Sequence, residues 1–465
     1  MAVSTGTRLL TLLEGLPLLS CSKLQQPVCL LSTKTRVSRY KHKQLSSSSS
    51  HHGQRRRLVI LGTGWGSYSV FKNVNKKLFD VIVISPRNHF LFTPLLASTT
   101  VGTLEFRSII EPVRNSGFRD EHHFHLSYAQ RLDTENRLVY CESALDSTRK
   151  YSVEYDHLVI GVGAVSSDFG VPGVKEHAFF LKEIVDARRI RNRILTNFEL
   201  ATQLLESDPD RRRLLHVVIV GGGPTGVEFG AEFYDFFQQD LGRLFPEEKL
   251  DVQVTLIEAN QILSSFDKKL RNYTEKLMKK RKSMNIVQAS VVEVTATEVR
   301  LSNGQTIPCG LVVWSTGVAP RRFTKDLQLD KNKRGQIRVD DHLRAYGDGT
   351  GLVYALGDCA SVEGQELPCT AQAAERQGIY LARALGETVK GEQPEAFLFK
   401  PWGMLAYVGG YKALVDKSNI KSQGFHSWVL WRSAYATQLG SWRLRMQVPI
   451  DWCKTFFFGR DTSRF

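Results

Sequence analysis

Two glycine strings hold the most legible chemistry of this chain of 465 residues. Gly62-Thr63-Gly64-Trp65-Gly66-Ser67 follows the apolar run Leu58-Val59-Ile60-Leu61, and Gly221-Gly222-Gly223-Pro224-Thr225-Gly226 follows Val217-Val218-Ile219-Val220. In such a string the first glycine permits a tight turn and the second lets the backbone approach a pyrophosphate. A small third residue lets the next helix pack on its strand, while the unpaired N–H groups at the helix start face the phosphates. Gly221, Gly223 and Gly226 meet all three conditions; the first string has Gly62 and Gly64 but Ser67 in third place, still small enough to pack. A single string is as often an ordinary turn. Two of them, each between a strand and a helix, predict two bound dinucleotides.

Carboxylates refine the assignment. The strand after the second string ends in Glu258, which accepts hydrogen bonds from a ribose 2′-hydroxyl and repels a 2′-phosphate, favouring NADH over NADPH. Glu258 lies 37 residues beyond Gly221 because a segment around Phe236 to Glu248 lengthens the crossover; the usual spacing is roughly 20. The strand after the first string ends instead in Ser85, so the adenosine contact there is expected from neighbours such as Arg87. Gly357-Asp358, after Val353-Tyr354-Ala355-Leu356, stands where a two-dinucleotide flavoprotein points an aspartate at the sugar-alcohol chain of its flavin. Hydride transfer between two stacked rings, about 3 to 3.5 Å apart at the reacting atoms, needs orientation and exclusion of water rather than a protein acid or base. Glu228, one turn before Glu232 on the same helix face, is the candidate for orienting the nicotinamide and relaying protons.

Buried parallel strands must position these groups. Strand, glycine turn, helix and the strand Val81-Ile82-Val83-Ile84 fit within about 30 residues, as a βαβ unit does. Two further strands end in glycine turns, at Gly161-Val162-Gly163 and at Ser315-Thr316-Gly317. The expected fold is α/β, with two Rossmann-like dinucleotide-binding domains of the glutathione-reductase-like kind and a C-terminal amphipathic membrane-anchoring region. The expected division is a leader over 1–57, a first domain over 58–178 and 336–395, a second over 179–335, and the C-terminal region over 396–465.

Charge and cysteine content exclude other classes. Of the net +15, the leader supplies +9, with ten Lys or Arg against Glu14 alone. The remainder carries 52 bases and 46 acids, which leaves little basis for nucleic-acid binding. The leader is also serine-rich, the composition of an organelle transit peptide. Seven cysteines include no Cys-x-x-Cys pair, as expected of reduced thiols without a zinc site or redox dithiol. No stretch reaches the roughly 18 to 20 apolar residues of a membrane-spanning helix, so membrane contact is expected to be peripheral and electron transfer uncoupled from proton pumping.

The C-terminal region predicts where that contact lies. On one unbroken helix, Trp428, Trp431, Tyr435, Leu439, Trp442 and Met446 fall within a sector of roughly 80°. Aromatic rings beside Arg432, Arg443 and Arg445 suit a headgroup interface, though the same stripe suits the protein core or a dimer seam.

The strings GTGWGSYS, VIVGGGPTGVEFGAE, VVWSTG, ALGDCA and LPCTAQAAERQG, in this order, resemble the type II (alternative, non-pumping) NADH dehydrogenases. The resemblance runs from about Arg57 to Phe465, and the ending GRDTSRF is similar to plant-type internal mitochondrial members. It implies FAD at Gly62, Gly64, Trp65, Gly66, Ser85, Arg87, Thr93, Pro94, Gly163 and Asp358, and NADH at Gly221, Gly223, Gly226, Glu228, Glu258, Thr316 and Gly317. It further implies a quinone contact at Gln372, Ala373, Arg376 and Gln377, where some relatives have glutamine in place of Arg376. Ubiquinone or another membrane quinone is the implied co-substrate, a homodimer the implied assembly, and the matrix face of the inner mitochondrial membrane the implied location, with chloroplast or dual targeting as the alternative.

Two rival functions remain open at this level. A sulfide:quinone oxidoreductase shares the architecture but needs reactive cysteines, and a flavin- and NADH-binding structural or signalling protein needs no turnover. Asp330-Lys331-Asn332-Lys333-Arg334-Gly335 imitates a calcium loop, but Arg334 stands where an oxygen ligand is required, so a hairpin turn and no metal are expected.

Overall fold

The computed structural model describes residues 55–118 and 122–464; the transit-peptide expectation lies outside the described residues. Leu58 to Leu61 are fully buried, and they lie in the third strand of a seven-stranded sheet. Its order is Val353–Ala355, His157–Ile160, Arg56–Leu61, Phe79–Ser85, Phe124–Asp133, Leu138–Ser143 and Lys150–Glu154. The first five are parallel and the last two extend the sheet as an antiparallel meander. Strands apolar on both faces, such as Arg56–Leu61, are the kind covered by helices on both sides.

Register turns these strands into a binding rim. Leu61 lies beside Ile84 and Ile160, and Ile160 beside Ala355. The next residue of each strand, Gly62, Ser85, Gly161 and Leu356, therefore emerges on one edge, the carboxyl end where open α/β sheets bind ligands.

The second sheet is parallel throughout, in the order Phe179–Phe180, Leu311–Trp314, His216–Val220, Gln253–Glu258 and Met284–Gln288. Here Val220 pairs with Ile257 and Trp314, so Gly221, Glu258 and Ser315 share the rim. A two-stranded antiparallel ribbon, Ala164–Ser166 with Val318–Pro320, ties the two sheets together. Helix Trp65–Asn73 crosses helix Ala371–Val389 so closely that a Cβ on Gly378 would sit 2.4 Å from the Gly66 carbonyl oxygen.

After residue 402 the chain builds a three-stranded antiparallel sheet and two helices, Phe425–Gln438 and Trp442–Phe458. The single-helix expectation for this region is corrected: Leu439 and Ser441 are extended, and the Ser441 hydroxyl caps the second helix by accepting from the Leu444 N–H. The calcium-like loop is a turn in which Asn332 accepts from the N–H groups of Arg334 and Gln336.

Candidate functional site

Gly62 has φ +101°, a conformation that favours glycine, and a Cβ there would lie 2.5 Å from the Gly161 carbonyl oxygen. Gly64 caps helix Trp65–Asn73, and a Cβ on it would meet no protein atom within 4 Å. The space above the second glycine is thus left to a ligand approaching the helix start. Ser67, the departure from the fingerprint, is buried and donates to the carbonyl of Leu61 at 3.1 Å. Trp65 Nε1 donates to Thr93 Oγ1 at 3.0 Å, which fixes the short turn Thr93–Leu95 containing Pro94 beside the glycine loop.

Ser85 is buried and accepts from the Arg87 N–H at 3.1 Å, within reach of Thr63 Oγ1 at 3.2 Å. Arg87 in turn donates to the Glu183 carboxylate at 2.5 Å and to the Thr63 carbonyl at 3.3 Å. Ser85 therefore shapes the rim, and Arg87 is the charged group it presents. Next to them, burial and the neighbouring Arg87 bring the His89 imidazole down to about 4, so it is neutral at physiological pH. Its Nε2 is buried without a partner among the described residues. An orphaned acceptor or donor beside an open glycine cradle fits the polar edge of a bound FAD.

Asp358 lies in the turn after Val353–Ala355, with Lys182 Nζ 3.3 Å from its carboxylate. The Gly357 N–H of that turn is held by Gln377 Oε1 at 2.7 Å. Gln377 is buried, so it positions the Gly357-Asp358 turn. Gly163, at the start of the linking ribbon, leaves open space where a Cβ would be.

The second cradle repeats the plan. Gly221 has φ +112°, and Gly223 caps helix Pro224–Phe236 with open space at its Cβ position. Gly226 approaches so closely that a Cβ would sit 2.0 Å from the Gly221 oxygen. Glu258 receives the N–H of Gly222 at 2.7 Å and of Asn260 at 3.0 Å, so its carboxylate is fixed at the rim despite the long crossover. That crossover is itself docked by Arg211, whose guanidinium meets Asp251 at 3.0 Å and Glu248 at 3.8 Å. Thr316 stands against Gly221, and Gly317 against the ring of Phe169.

Glu228 and Glu232 face inward from the same helix. Glu228 accepts from the Tyr407 N–H at 3.1 Å, and burial, reinforced by Glu232, pushes its carboxyl up to about 8. Burial also raises Glu232, which accepts from the hydroxyls of Ser98 at 2.7 Å and Thr103 at 2.8 Å, with Arg460 at 3.8 Å. One turn further, Asp235 accepts from the Tyr407 hydroxyl at 2.6 Å. A carboxyl that titrates near neutral pH at the end of a buried chain of polar groups can hold or hand on a proton.

The remaining sequence-derived positions divide. Helix Ala371–Val389 starts at Thr370, whose hydroxyl accepts from the Ala373 N–H; Ala373 is buried in the helix packing. Gln372 Oε1 accepts from the Trp402 N–H at 3.0 Å, and the Arg376 guanidinium lies 3.9 Å from the Trp402 ring centre. These two thus join the helix to the C-terminal region. For the aromatic stripe the expectation of a surface is corrected. Trp431 is 3% exposed and packs on Tyr407, Tyr435 and Trp452, and Tyr435 turns inward towards Glu228. Trp428 is half-buried against Tyr411 and Phe425. Trp442 alone of the four rings stands out, at 78% exposed, because the break at Leu439 resets the helical phase. The other exposed apolar side chains of the two helices are Phe425, Val429, Leu430, Met446, Ile450 and Phe456 to Phe458.

Lys182, Glu183, Asp235, Tyr407 and Arg460 were not singled out from the sequence. Arg460 carried a signal: it lies in the GRDTSRF ending, and an arginine in a motif is seldom without a partner. Its guanidinium meets Asp240 at 2.7 Å and Thr103 Oγ1 at 2.9 Å, which anchors the C-terminal tail to the nucleotide domain.

Two open cradles on the carboxyl edges of two joined parallel sheets define a two-dinucleotide oxidoreductase. Residues 56–378 match the pyridine nucleotide-disulphide oxidoreductase family, and residues 402–461 match the NDH2 C-terminal domain. The chain belongs to the type II NADH dehydrogenase (NDH2) family. It is 45% identical over 415 residues to a probable NADH dehydrogenase of Dictyostelium discoideum, with 88% of this chain and 91% of the relative covered. It is 41% identical to the mitochondrial internal alternative NAD(P)H-ubiquinone oxidoreductase A1 of Arabidopsis thaliana, over 89% of this chain and 86% of that one. Among solved structures it is similar to NDH2 of Plasmodium falciparum in complex with NADH, with TM-score 0.83 and 25% identity over 88% of this chain and 100% of that one. The sulfide:quinone oxidoreductase of Aquifex aeolicus, at 16% identity and TM-score 0.66, shares the fold.

Proposed function

We propose that this chain is an FAD-dependent, non-proton-pumping NADH:ubiquinone oxidoreductase of the mitochondrion. The observation that carries it is the pair of glycine cradles whose second glycines, Gly64 and Gly223, face open space at the starts of two helices. Bound FAD supplies the ring that accepts a hydride from NADH and passes two electrons to quinone. The chain's part is to hold the two dinucleotides, through Arg87 and Asp358 on one side and Glu258 on the other. Glu228, protonated below about pH 8, offers a proton beside the nicotinamide cradle. The overall reaction, NADH with one proton and quinone giving NAD+ and quinol, takes up one proton beyond the transferred hydride, which is what a single neutral carboxyl can relay from solvent.

The sulfide-oxidising alternative fares poorly. Burial pushes the thiols of Cys141 and Cys309 up to about 12 and that of Cys359 up to about 11, and burial with the neighbouring Asp358 also raises Cys369, all away from the thiolate such chemistry needs.

Attachment to the matrix face of the inner membrane is supported by three features: the basic, serine-rich leader, the likeness to internal relatives, and the exposed face built by Trp442 and Phe456 to Phe458. No helix among the described residues is long and apolar enough to cross a membrane. Phe425, Val429 and Leu430, exposed on the first C-terminal helix, support pairing with a second copy, and sedimentation in detergent is expected to give a dimer. The division into two dinucleotide domains and a C-terminal region is part of the same proposal, and the pairing of Val353–Ala355 with His157–Ile160 supports a first domain built from two stretches of chain.

A stopped-flow flavin spectrum tests the activity. NADH is expected to bleach the flavin rapidly and a soluble ubiquinone to restore it; slow restoration would move the reading to a binding or signalling protein.

A further inference from the structure

Between the C-terminal helices and helix Pro224–Phe236 lies a cavity of about 310 Å³. Its polar residues include Glu232, Asp240, Arg243, Arg432 and Arg460, and it reaches the surface at Phe456, Phe457 and Phe458, which are 70%, 75% and 86% exposed. Neither Gln372 nor Arg376 lines it.

The charges facing this cavity do not cancel. Asp240 is matched by Arg460 at 2.7 Å, and Glu232 is held by Ser98 and Thr103 with burial favouring its neutral form. Tyr407 gives its hydroxyl to Asp235. Arg432 has no hydrogen bond or ion pair among the described residues, and its Nε is buried without a partner. What holds it is a pair of indoles, with the guanidinium 4.3 Å from the Trp428 ring centre and 4.5 Å from that of Trp452. Arg243, exposed at the same cavity, is likewise without a carboxylate partner among the described residues.

A guanidinium lying within 4.5 Å of two indole ring centres is fixed in direction by them, and the N–H edge it leaves unpaired stays available. Such an edge matches the paired oxygens of a phosphate, and stacking pre-organises it without satisfying its N–H groups. We propose that this cavity binds the phosphate of an anionic phospholipid headgroup, with Arg432 and Arg243 as its cationic contacts and Phe456 to Phe458 lying against the acyl chains. The assignment rests on the membrane-facing reading above and adds a lipid class to it. A lipid is favoured over a soluble anion because the rim of the cavity is apolar and exposed, as a headgroup interface requires.

The test uses the flavin-loaded full chain and two sets of vesicles, phosphatidylcholine alone and phosphatidylcholine with phosphatidylglycerol. Wild type is expected to bind the anionic vesicles more tightly. Arg432→Gln is expected to lose about fivefold of that preference while keeping its affinity for neutral vesicles. Arg243→Gln, an exposed change that leaves the indole stack intact, is expected to lose a similar factor, so the proposal survives a folding defect at Arg432. Unchanged preference in both variants overturns the headgroup assignment and leaves the membrane reading standing; failure of wild type to bind either vesicle overturns both. Inorganic phosphate that stabilises wild type but not Arg432→Gln in the absence of vesicles assigns the cavity to a soluble anion instead. A raised KM for soluble quinone in Arg432→Gln, with vesicle binding unaltered, assigns it to the quinone path and likewise overturns the proposal.

Discussion

The hydroxyl of Ser67 occupies the place that a side chain on Gly161 would need: a Cβ built on Gly161 lies 2.1 Å from Ser67 Oγ. That hydroxyl donates to the carbonyls of Leu61 at 3.1 Å and Gly161 at 3.3 Å, so it stitches the first glycine turn to the neighbouring strand. A serine can therefore stand at the third position of the fingerprint because the facing residue is a glycine. The expected outcome is that Gly161→Ala destabilises the FAD-binding half, that Ser67→Gly costs about 1 kcal/mol, and that the double variant recovers part of the loss. A thermal-unfolding cycle with flavin retention as second readout checks it; strictly additive effects would show that the two residues do not share the space.

Glu258 binds two backbone N–H groups while facing the nucleotide cradle. Glu258→Gln removes the negative charge that opposes a 2′-phosphate, and the kcat/KM ratio of NADH to NADPH is expected to fall by about tenfold, or about 1.4 kcal/mol. An unchanged ratio would place the ribose contact elsewhere on the rim.

The cradles were legible because a glycine turn is local: strand, glycine spacing and helix start sit within a dozen residues. The pairing of Glu228 and Glu232 was legible for the same reason, since helical spacing alone puts them on one face. Tyr407 and Arg460 were not, because they reach Asp235 and Asp240 only after the chain has traversed both sheets. The aromatic stripe departs from expectation on two counts: Trp431 and Tyr435, in the helix before the break, pack inward on long-range partners that no spacing reveals, and the helix is broken at Leu439. Once Ser441 restarts the helix, Trp431 and Trp442 no longer share a phase, and the first is core while the second is surface.

Glu228 binds its proton far more tightly in the folded chain, at about 8, than at the ordinary glutamate value of 4.5. Between those values the folded state keeps a proton that the unfolded chain has released, so this group lowers stability progressively as pH rises through the window. Glu228→Gln keeps an acceptor for the Tyr407 N–H but cannot ionise. Its melting temperature is expected to gain on wild type as the pH is raised from about 5 to about 8, and turnover with quinone is expected to lose its inflection near 8. Parallel stability curves for the two proteins would show that the carboxyl is ionised throughout.

Arg460 ties the tail to the nucleotide domain through Asp240, Gln239 and Thr103 from a nearly buried position. Arg460→Ala leaves Asp240 uncompensated and is expected to cost about 3 to 5 kcal/mol, whereas replacing Arg460 and Asp240 together with apolar residues is expected to cost much less. Denaturant unfolding of both variants checks the difference.

Phe456, Phe457 and Phe458 end the last helix with their rings largely in solvent, and an isolated soluble domain gains nothing from three such rings side by side. Changing all three to serine removes little packing from the folded chain, so the melting temperature and NADH oxidation with a water-soluble acceptor are expected to stay near wild type. Each ring buried in a bilayer interface contributes about 1.5 kcal/mol, so the triple variant is expected to bind vesicles more than a hundredfold more weakly. Oxidation of NADH with a long-tailed quinone held in those vesicles should fall in step, because the acceptor is reached only from the bilayer surface. Full vesicle binding by the triple variant would move the membrane contact to Trp442, Met446 and Ile450, the exposed apolar residues earlier on the same helix.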